Sequence, residues 1–317
     1  MLGSVNIAVN MRPGSSAVRV PFDPASLAAY RMLSIKAALC VLLGAALGFG
    51  YDGRDLNTVL VTLALAVGFA WLLRRIGHSR IATAIEGSAL LLAASMATAT
   101  LSALFATSAF PFRDDLLARA DLLLFPGFSW LQMFELLHRQ DRLVGAMAWT
   151  YGSLLWQPFV LVALLAAFGR ERAAWRYVCA WYVALATCVV IFPFAPALGP
   201  YIANHIPPTA IPAMDVGLAW RHAEILEPLR DGTLRIVSPG MMTGMIAFPS
   251  FHAAGSILLA WGFREVPVIG RAFVVLNLAM FATTPLIGSH YFVDLLGGIA
   301  VAALAVAASR KAVPTED

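Results

Sequence analysis

Long apolar runs separated by short polar connections dominate the hydrophobic pattern of this chain. A membrane-spanning helix needs about 20 mostly apolar residues, and eight runs of roughly that length can be marked along the chain. They cover residues 33–50, 56–73, 81–109, 143–168, 173–194, 246–263, 266–287 and 291–308. The pattern therefore predicts an all-α, polytopic membrane bundle of about eight transmembrane helices.

Composition supports the membrane and excludes other classes of protein. Of the 317 residues, 60% are hydrophobic and 13% are charged, whereas a soluble domain carries about 25% charged residues. A soluble enzyme with a peripheral anchor and a disordered chain are both excluded. The net charge of +4 predicts no nucleic-acid partner, because the basic residues are scattered between apolar runs. All three cysteines lie in apolar runs without a Cys-x-x-Cys pair, which argues against a disulfide framework and a zinc site.

The polar connections divide the chain into five parts. Residues 1–32 form a proline-containing cytoplasmic tail rather than a signal peptide, and 33–110 are the N-terminal transmembrane helices. Residues 111–142 mix acidic residues with leucines and are broken by Pro126 and Gly127, which predicts one or two helices lying in the membrane interface. The catalytic core is 143–309, with an extracytoplasmic loop over 195–245, and 310–317 form a cytoplasmic tail.

Charge placement gives the chain an orientation. With eight crossings, 14 of the 22 Lys and Arg residues lie on the face that holds the N-terminus and eight on the other. The positive-inside rule then places both termini in the cytoplasm and both long connections outside. Twenty arginines against two lysines, in an alanine-rich chain, are typical of a GC-rich bacterial genome. We therefore expect a bacterial inner membrane, with the second face periplasmic or external; in a eukaryote this face would be lumenal.

Two short segments carry the candidate chemistry, F-P-S-F-H-A-A at 248–254 and G-S-H-Y-F-V-D-L at 288–295. Their histidines, His252 and His290, are 38 residues apart. One crossing and its return take about 40 residues, so both histidines reach the same face. Asp294 lies four residues after His290, on the same side of a helix. A carboxylate there can orient the imidazole and stabilise its cation, as in nucleophilic or acid–base catalysis.

The same segments suggest how a phosphate would be bound. Ser250 and Ser289 stand where helix N-caps belong, and helix N-termini favour anions. The preceding loop adds Arg230 and Arg235 as candidate phosphate ligands. Their alternative role is salt bridges within the loop, with Glu224, Glu227 or Asp231.

Other residues of the same face are weaker candidates. Arg221 is a further basic residue of the loop, and His205 and His222 are candidate substrate contacts. The predicted site holds no carboxylate cluster suited to magnesium.

The two histidine segments resemble the motifs of the type 2 phosphatidic acid phosphatase superfamily. More narrowly, they resemble its inositol phosphorylceramide synthase-like (inositolphosphotransferase) branch. The resemblance spans roughly 121–308, and supporting likenesses are the runs 191–196 and 230–235. The matching motif residues are Pro249, Ser250 and His252 in the first motif and His290, Tyr291, Phe292, Val293 and Asp294 in the second.

The resemblance implies a mechanism without a metal, which the lack of a carboxylate cluster fits, and we expect no other cofactor. His290 is the implied nucleophile that forms a phosphohistidine, Asp294 orients it, and His252 protonates the leaving oxygen. The chain departs from the phosphatase branch, because it lacks the Lys…Arg-Pro motif and has Thr284 where that branch has an arginine. The synthase-like branch also lacks this arginine, so the substitution favours that branch and leaves the cationic ligand of the phosphate unassigned.

These inferences predict a membrane lipid phosphatase or phosphotransferase that acts on a lipid phosphate or phosphodiester. Water as acceptor makes it a hydrolase, and an alcohol or polyol makes it a transferase; the sequence leaves both open, together with the oligomeric state. The alternative is a proton-coupled transporter with a relay of His252, His290 and Asp294. A relay belongs near the membrane midplane, whereas these residues lie at one end of their predicted spans.

Overall fold

The computed structural model describes residues 23–107, 110–211, 217–237 and 245–314. Within these ranges the chain forms helices and a single pair of two-residue strands. The helices are α1 (Leu27–Ala46), α2 (Gly53–Arg75), α3 (Ser79–Ala106), α4 (Asp114–Leu124), α5 (Trp130–Leu137), α6 (Asp141–Gly152), α7 (Gln157–Ala167), α8 (Glu171–Ile191), α9 (Pro200–Ala203), α10 (Gly217–Asp231), α11 (Phe251–Phe263), α12 (Gly270–Ile287) and α13 (Phe292–Ala312). The strands β1 (Gly50–Tyr51) and β2 (Ile236–Val237) pair in parallel.

The eight predicted apolar runs all contain helix, and the all-α polytopic bundle is confirmed. In the described part of the chain, six helices are long and apolar enough to cross a membrane, namely α1, α2, α3, α8, α12 and α13. A seventh crossing is possible through α6 and α7, which are bent by 56° at the break between them. The remaining helix, α11, has 13 residues, or about 20 Å of helix against a hydrocarbon core of about 30 Å. It begins late because Pro249 disfavours helix before it.

Helix α8 lies at the centre of the bundle and packs against α1, α3, α11 and α13. Its large aromatic side chains, Trp175, Tyr177 and Tyr182, are fully buried. Helix α2 packs mainly on α3 and leaves leucines such as Leu65 exposed, as expected for a peripheral helix that faces lipid.

Contacts between distant segments define the two ends of the bundle. At one end β1 pairs with β2, and Ser250 contacts His290. At the other end the Arg170 guanidinium pairs with Glu265 at 2.5 Å. Both long connections therefore lie at the end that carries the histidine motifs, as the count of crossings predicts. Which end faces the cytoplasm stays a prediction.

One basic residue does not lie where the charge count put it. Lys36 is inside α1, buried, and its Nζ donates to Thr98 Oγ1 at 2.7 Å. Lys36 therefore does not count among the 14 basic residues that the sequence analysis placed on the first face.

The predicted interfacial segment forms two helices, α4 and α5, separated by residues 125–129. Helix α4 exposes apolar side chains and buries a charged one: Leu123 is 83% exposed, whereas Asp121 is only 3% exposed. Exposed leucines suit contact with lipid, so the location of this segment in the membrane interface remains our prediction.

Candidate active site

The first motif begins α11 and touches the second motif directly. Ser250 is the N-cap of α11, as predicted, and its Oγ accepts a hydrogen bond from the Ala253 amide at 3.3 Å. The Ser250 amide donates to the Asp294 carbonyl at 3.1 Å. The two motifs are thus joined through backbone as well as side chains.

His290 lies in the turn before α13, between two partners. Its Nδ1 is 3.2 Å from Asp294 Oδ2, and its Nε2 is 3.2 Å from Ser250 Oγ. The i,i+4 pair is therefore present, although His290 precedes the helix and Asp294 reaches back to it. An ionised Asp294 accepts a hydrogen bond from Nδ1–H, which leaves the lone pair on Nε2. This is the tautomer that a nucleophilic histidine needs.

The His290–Asp294 pair is shielded from solvent. His290 is 5% exposed and Asp294 is fully buried. Asp294 Oδ2 also accepts the Tyr291 amide at 2.9 Å, whereas its Oδ1 has no hydrogen-bond partner among the described residues.

His252 is held by Tyr151, a residue of α6. The Tyr151 hydroxyl lies 2.9 Å from His252 Nδ1, and the two rings are stacked with centroids 3.8 Å apart. If the phenol donates, Nδ1 is unprotonated and Nε2 carries the hydrogen of the neutral ring. A proton donor needs the imidazolium instead, in which Nδ1–H donates to the phenol oxygen and Nε2–H can protonate a leaving group.

Gly288 keeps these groups close together. A Cβ at this position would lie 2.7 Å from both Tyr151 Oη and His290 Cδ2. The absence of a side chain at Gly288 thus allows α6 to approach the turn that carries His290.

The prediction that Ser289 caps a helix is wrong. The N-cap of α13 is Tyr291, and Ser289 has a φ of 54° in the turn before it. Its Oγ accepts the Tyr201 amide at 3.3 Å. Gly199 crosses this turn so closely that a Cβ there would lie 2.6 Å from Ser289 O and Oγ. Because Ser289 adopts this left-handed conformation, the N-cap of α13 lies two residues later than predicted, at Tyr291.

The N-terminus of α13 is filled by protein rather than open to phosphate. Asp121 Oδ2 accepts the Phe292 amide at 2.8 Å, and Oδ1 accepts the Val293 amide at 2.7 Å. Burial raises the pKa of Asp121, while these two amides act to lower it. The expectation that both motif helices offer free amides to an anion is therefore wrong for α13.

A family model described as the PAP2 superfamily, the type 2 phosphatidic acid phosphatases, matches residues 117–308. The chain belongs to the PAP2 superfamily. The matched part contains both histidine motifs, Tyr151 and Asp121, and leaves out α1–α3. Searches of curated proteins and of solved structures gave no match. As a PAP2 protein, the chain is a membrane enzyme of the phosphatase type, or a related phosphotransferase, with a lipid phosphate as substrate.

The two predicted arginine ligands of this PAP2 protein have other neighbours. Arg230 Nη2 donates to the Phe110 carbonyl at 2.6 Å, and its guanidinium lies over the Phe112 ring. Arg235 lies over the Phe49 ring. Neither arginine contacts a motif residue in the described contacts. Arg235 does help to lower the pKa of Asp231, after hydrogen bonds from Thr233.

The remaining candidates of the loop add little to the site. His205 is exposed in a turn after α9, and the side chains of Arg221 and His222 lie outside the described ones. Within the described ranges, no group of three or more His, Cys, Asp or Glu side chains could hold a metal ion.

Sequence reasoning missed two residues of this site. Tyr151 is an aromatic residue in an apolar run, and nothing in the sequence distinguishes it from a residue of the hydrophobic core. Only the folded structure shows that α6 brings it to His252 of α11. Asp121 belongs to a mixed polar and apolar segment, where a solvated position is the ordinary interpretation.

Proposed function

We propose that this PAP2 protein is a metal-independent lipid phosphatase or phosphotransferase that uses His290 as the nucleophile. The observation that carries the proposal is the alignment of Asp294, His290 and Ser250. Asp294 binds Nδ1 at 3.2 Å, and Nε2 points toward Ser250, the N-cap of α11. The reactive nitrogen is therefore directed at a helix N-terminus, where a phosphate is favoured.

The first step forms a phosphohistidine. His290 Nε2 attacks phosphorus, a P–N bond forms, and the P–O bond to the leaving group breaks. His252 enters this step as the imidazolium, gives the proton on its Nε2 to the leaving oxygen, and is left neutral with the hydrogen on Nδ1 donated to Tyr151. The Ser250 hydroxyl and the first amides of α11 lie where they can donate to the non-bridging oxygens.

The second step returns the enzyme to its starting state. An acceptor hydroxyl attacks the phosphohistidine, His252 takes its proton, and the P–N bond breaks. Water as the acceptor gives hydrolysis, and an alcohol or polyol gives headgroup transfer.

Thr284 bears on the choice of acceptor. This residue replaces the arginine of the phosphatase branch; it is fully buried, and its Oγ1 donates to the Met280 carbonyl at 2.9 Å. Because it is engaged within its own helix, it does not substitute for a cationic ligand. Its presence favours the inositolphosphotransferase-like branch, so transfer is tested beside hydrolysis.

The proposed location follows from the ends of the bundle. The motif residues lie at the end that also holds α4 and the long loop, which the charge distribution assigns to the periplasmic or external face. A lipid headgroup can reach His290 there while the acyl chains stay in the bilayer. A proton relay of a transporter belongs near the midplane instead, so this placement favours the enzyme.

The experiment is phosphate release from a panel of lipid monophosphates by purified, detergent-solubilised protein in EDTA. We expect release by the wild type, loss in His290→Ala, and no change in His78→Ala, whose exposed histidine precedes α3. An acid-labile phosphohistidine should be trapped on the wild type and on His78→Ala, but not on His290→Ala. Added alcohols that yield new phosphate monoesters of the alcohol would establish transfer. Full activity in His290→Ala would refute the proposal.

A further inference from the structure

Two aspartates of α4 face the second motif. Asp114 and Asp121 are seven residues apart, which places them two turns apart on one side of the helix, with about 10 Å between their levels. Both side chains accept hydrogen bonds from segments that surround His290. No other acidic residue of α4 does so in the described contacts, since Asp115 is exposed.

Asp121 holds the beginning of α13. Its two oxygens accept the amides of Phe292 and Val293, the first two residues of that helix. Asp294 accepts the amide of Tyr291, the residue before them. Two carboxylates therefore satisfy three successive amides, and the second of these carboxylates is the one that binds His290 Nδ1.

Asp114 holds the turn from the opposite side. Its Oδ1 accepts the Gly199 amide at 2.8 Å and the Tyr291 hydroxyl at 3.2 Å, and its Oδ2 accepts the Leu198 amide at 3.0 Å. Gly199 in turn lies against Ser289. The residues on each side of His290 are thus connected to one carboxylate.

The outer side of α4 carries apolar residues instead. Leu116 and Leu122–Leu124 are each more than half exposed, which suits insertion among lipid chains at the interface. The same helix therefore presents leucines outward and carboxylates toward the active site.

We propose that Asp114 and Asp121 are positioning residues of the phosphoryl-transfer site. Helix α4 fixes the height and orientation of His290 relative to the membrane surface, where the lipid headgroup arrives. This inference rests on the proposed function, and it adds residues for which the histidine motifs give no role.

The test uses the full-length protein with Asp121→Asn, Tyr291→Phe and the control Asp115→Asn. Asparagine has one acceptor oxygen, so it can serve only one of the two amides and turns an NH₂ group toward the other. Tyr291→Phe removes only the phenol bond to Asp114 and is the milder change. We expect kcat to fall about 10- to 100-fold in Asp121→Asn, since a displacement of about 1 Å can cost that much, with KM nearly unchanged. Tyr291→Phe should show a smaller loss of the same kind, and Asp115→Asn none.

Hydrogen exchange of the peptide covering 289–295 supplies a readout that does not depend on catalysis. We expect faster exchange in Asp121→Asn and no change in Asp115→Asn. A wild-type kcat in Asp121→Asn, or a loss that tracks only the fraction of folded protein, would overturn the positioning role. If the wild type neither releases phosphate from any lipid nor forms a phosphohistidine, the proposed function fails. Hydrogen exchange then decides alone: unchanged exchange in Asp121→Asn overturns the positioning role, and faster exchange supports it.

Discussion

The Asp294→Asn variant isolates the charge of the carboxylate from its hydrogen bonds. Asp294 Oδ2 contacts both His290 Nδ1 and the Tyr291 amide, whereas Oδ1 has no partner among the described residues. The asparagine oxygen can therefore keep both contacts, and its NH₂ group can occupy the position of Oδ1. What is lost is the negative charge 3.2 Å from the imidazole.

The magnitude follows from the change of charge during the reaction. Attack on phosphorus makes the His290 ring cationic, and a hydrogen bond to a charged group is worth about 1.5–3 kcal/mol. At about 1.4 kcal/mol per factor of ten, this predicts a loss in kcat of about 10- to 150-fold. KM should change little, because the charge interacts with the transition state more than with bound substrate.

The assay compares Asp294→Asn with Asp55→Asn, which changes an exposed aspartate in the first turn of α2. Steady-state kinetics on a lipid phosphate, thermal unfolding and phosphohistidine formation in a single turnover are measured on both variants. A fall in kcat of less than about threefold, well below the charged-bond estimate, would refute the assigned role of Asp294. The same conclusion would follow if the single-turnover rate were unchanged.

Two further predictions test the surroundings of the histidines. Tyr151→Phe removes the hydroxyl that contacts His252 Nδ1 but keeps the ring stack, so kcat should fall about tenfold. The loss should disappear with a substrate that has a p-nitrophenyl leaving group, because this group leaves without a proton. An equal loss for both substrates would contradict the role of His252 as the proton donor. Gly199→Ala places a Cβ 2.6 Å from Ser289 at a φ of 87° and should lower the free energy of unfolding by about 1–2 kcal/mol or more, which is measured as a lower unfolding temperature. The control Gly53→Ala has no atom within 4 Å of its Cβ and should leave the unfolding temperature unchanged. Equal effects of the two substitutions would argue against the close approach of Gly199 to Ser289.

The sequence was informative where a single segment determines the outcome. The apolar runs predicted the helices because their length matches the bilayer, and the 38-residue spacing of His252 and His290 predicted a shared end. The cap at Ser250 was also predictable, since Pro249 and Ser250 are local signals for a helix start. The i,i+4 relation of His290 and Asp294 survived although His290 stands outside the helix.

The rest depends on contacts between segments far apart in the chain. Tyr151 and His252 are 101 residues apart, and no local pattern distinguishes this tyrosine from its apolar neighbours. Ser289 was misassigned because the turn at Gly288 and Ser289 is shaped by Gly199, about 90 residues earlier. Arg230 was expected near phosphate because of its position in the sequence, but its guanidinium contacts the Phe112 ring and the Phe110 carbonyl instead.

The pairing of β1 with β2 limits how far this protein can be truncated from its N-terminus. The family match begins at residue 117, yet Gly50 of the first helical hairpin is paired with Ile236, shortly before the first motif. Helix α3 also buries one side against α7 and α8. The conserved unit of the family is therefore not a separable body in this protein. A fragment that starts at α4 would lose the backbone partner of Ile236, in the loop before the first motif, and would expose the apolar surface of α8.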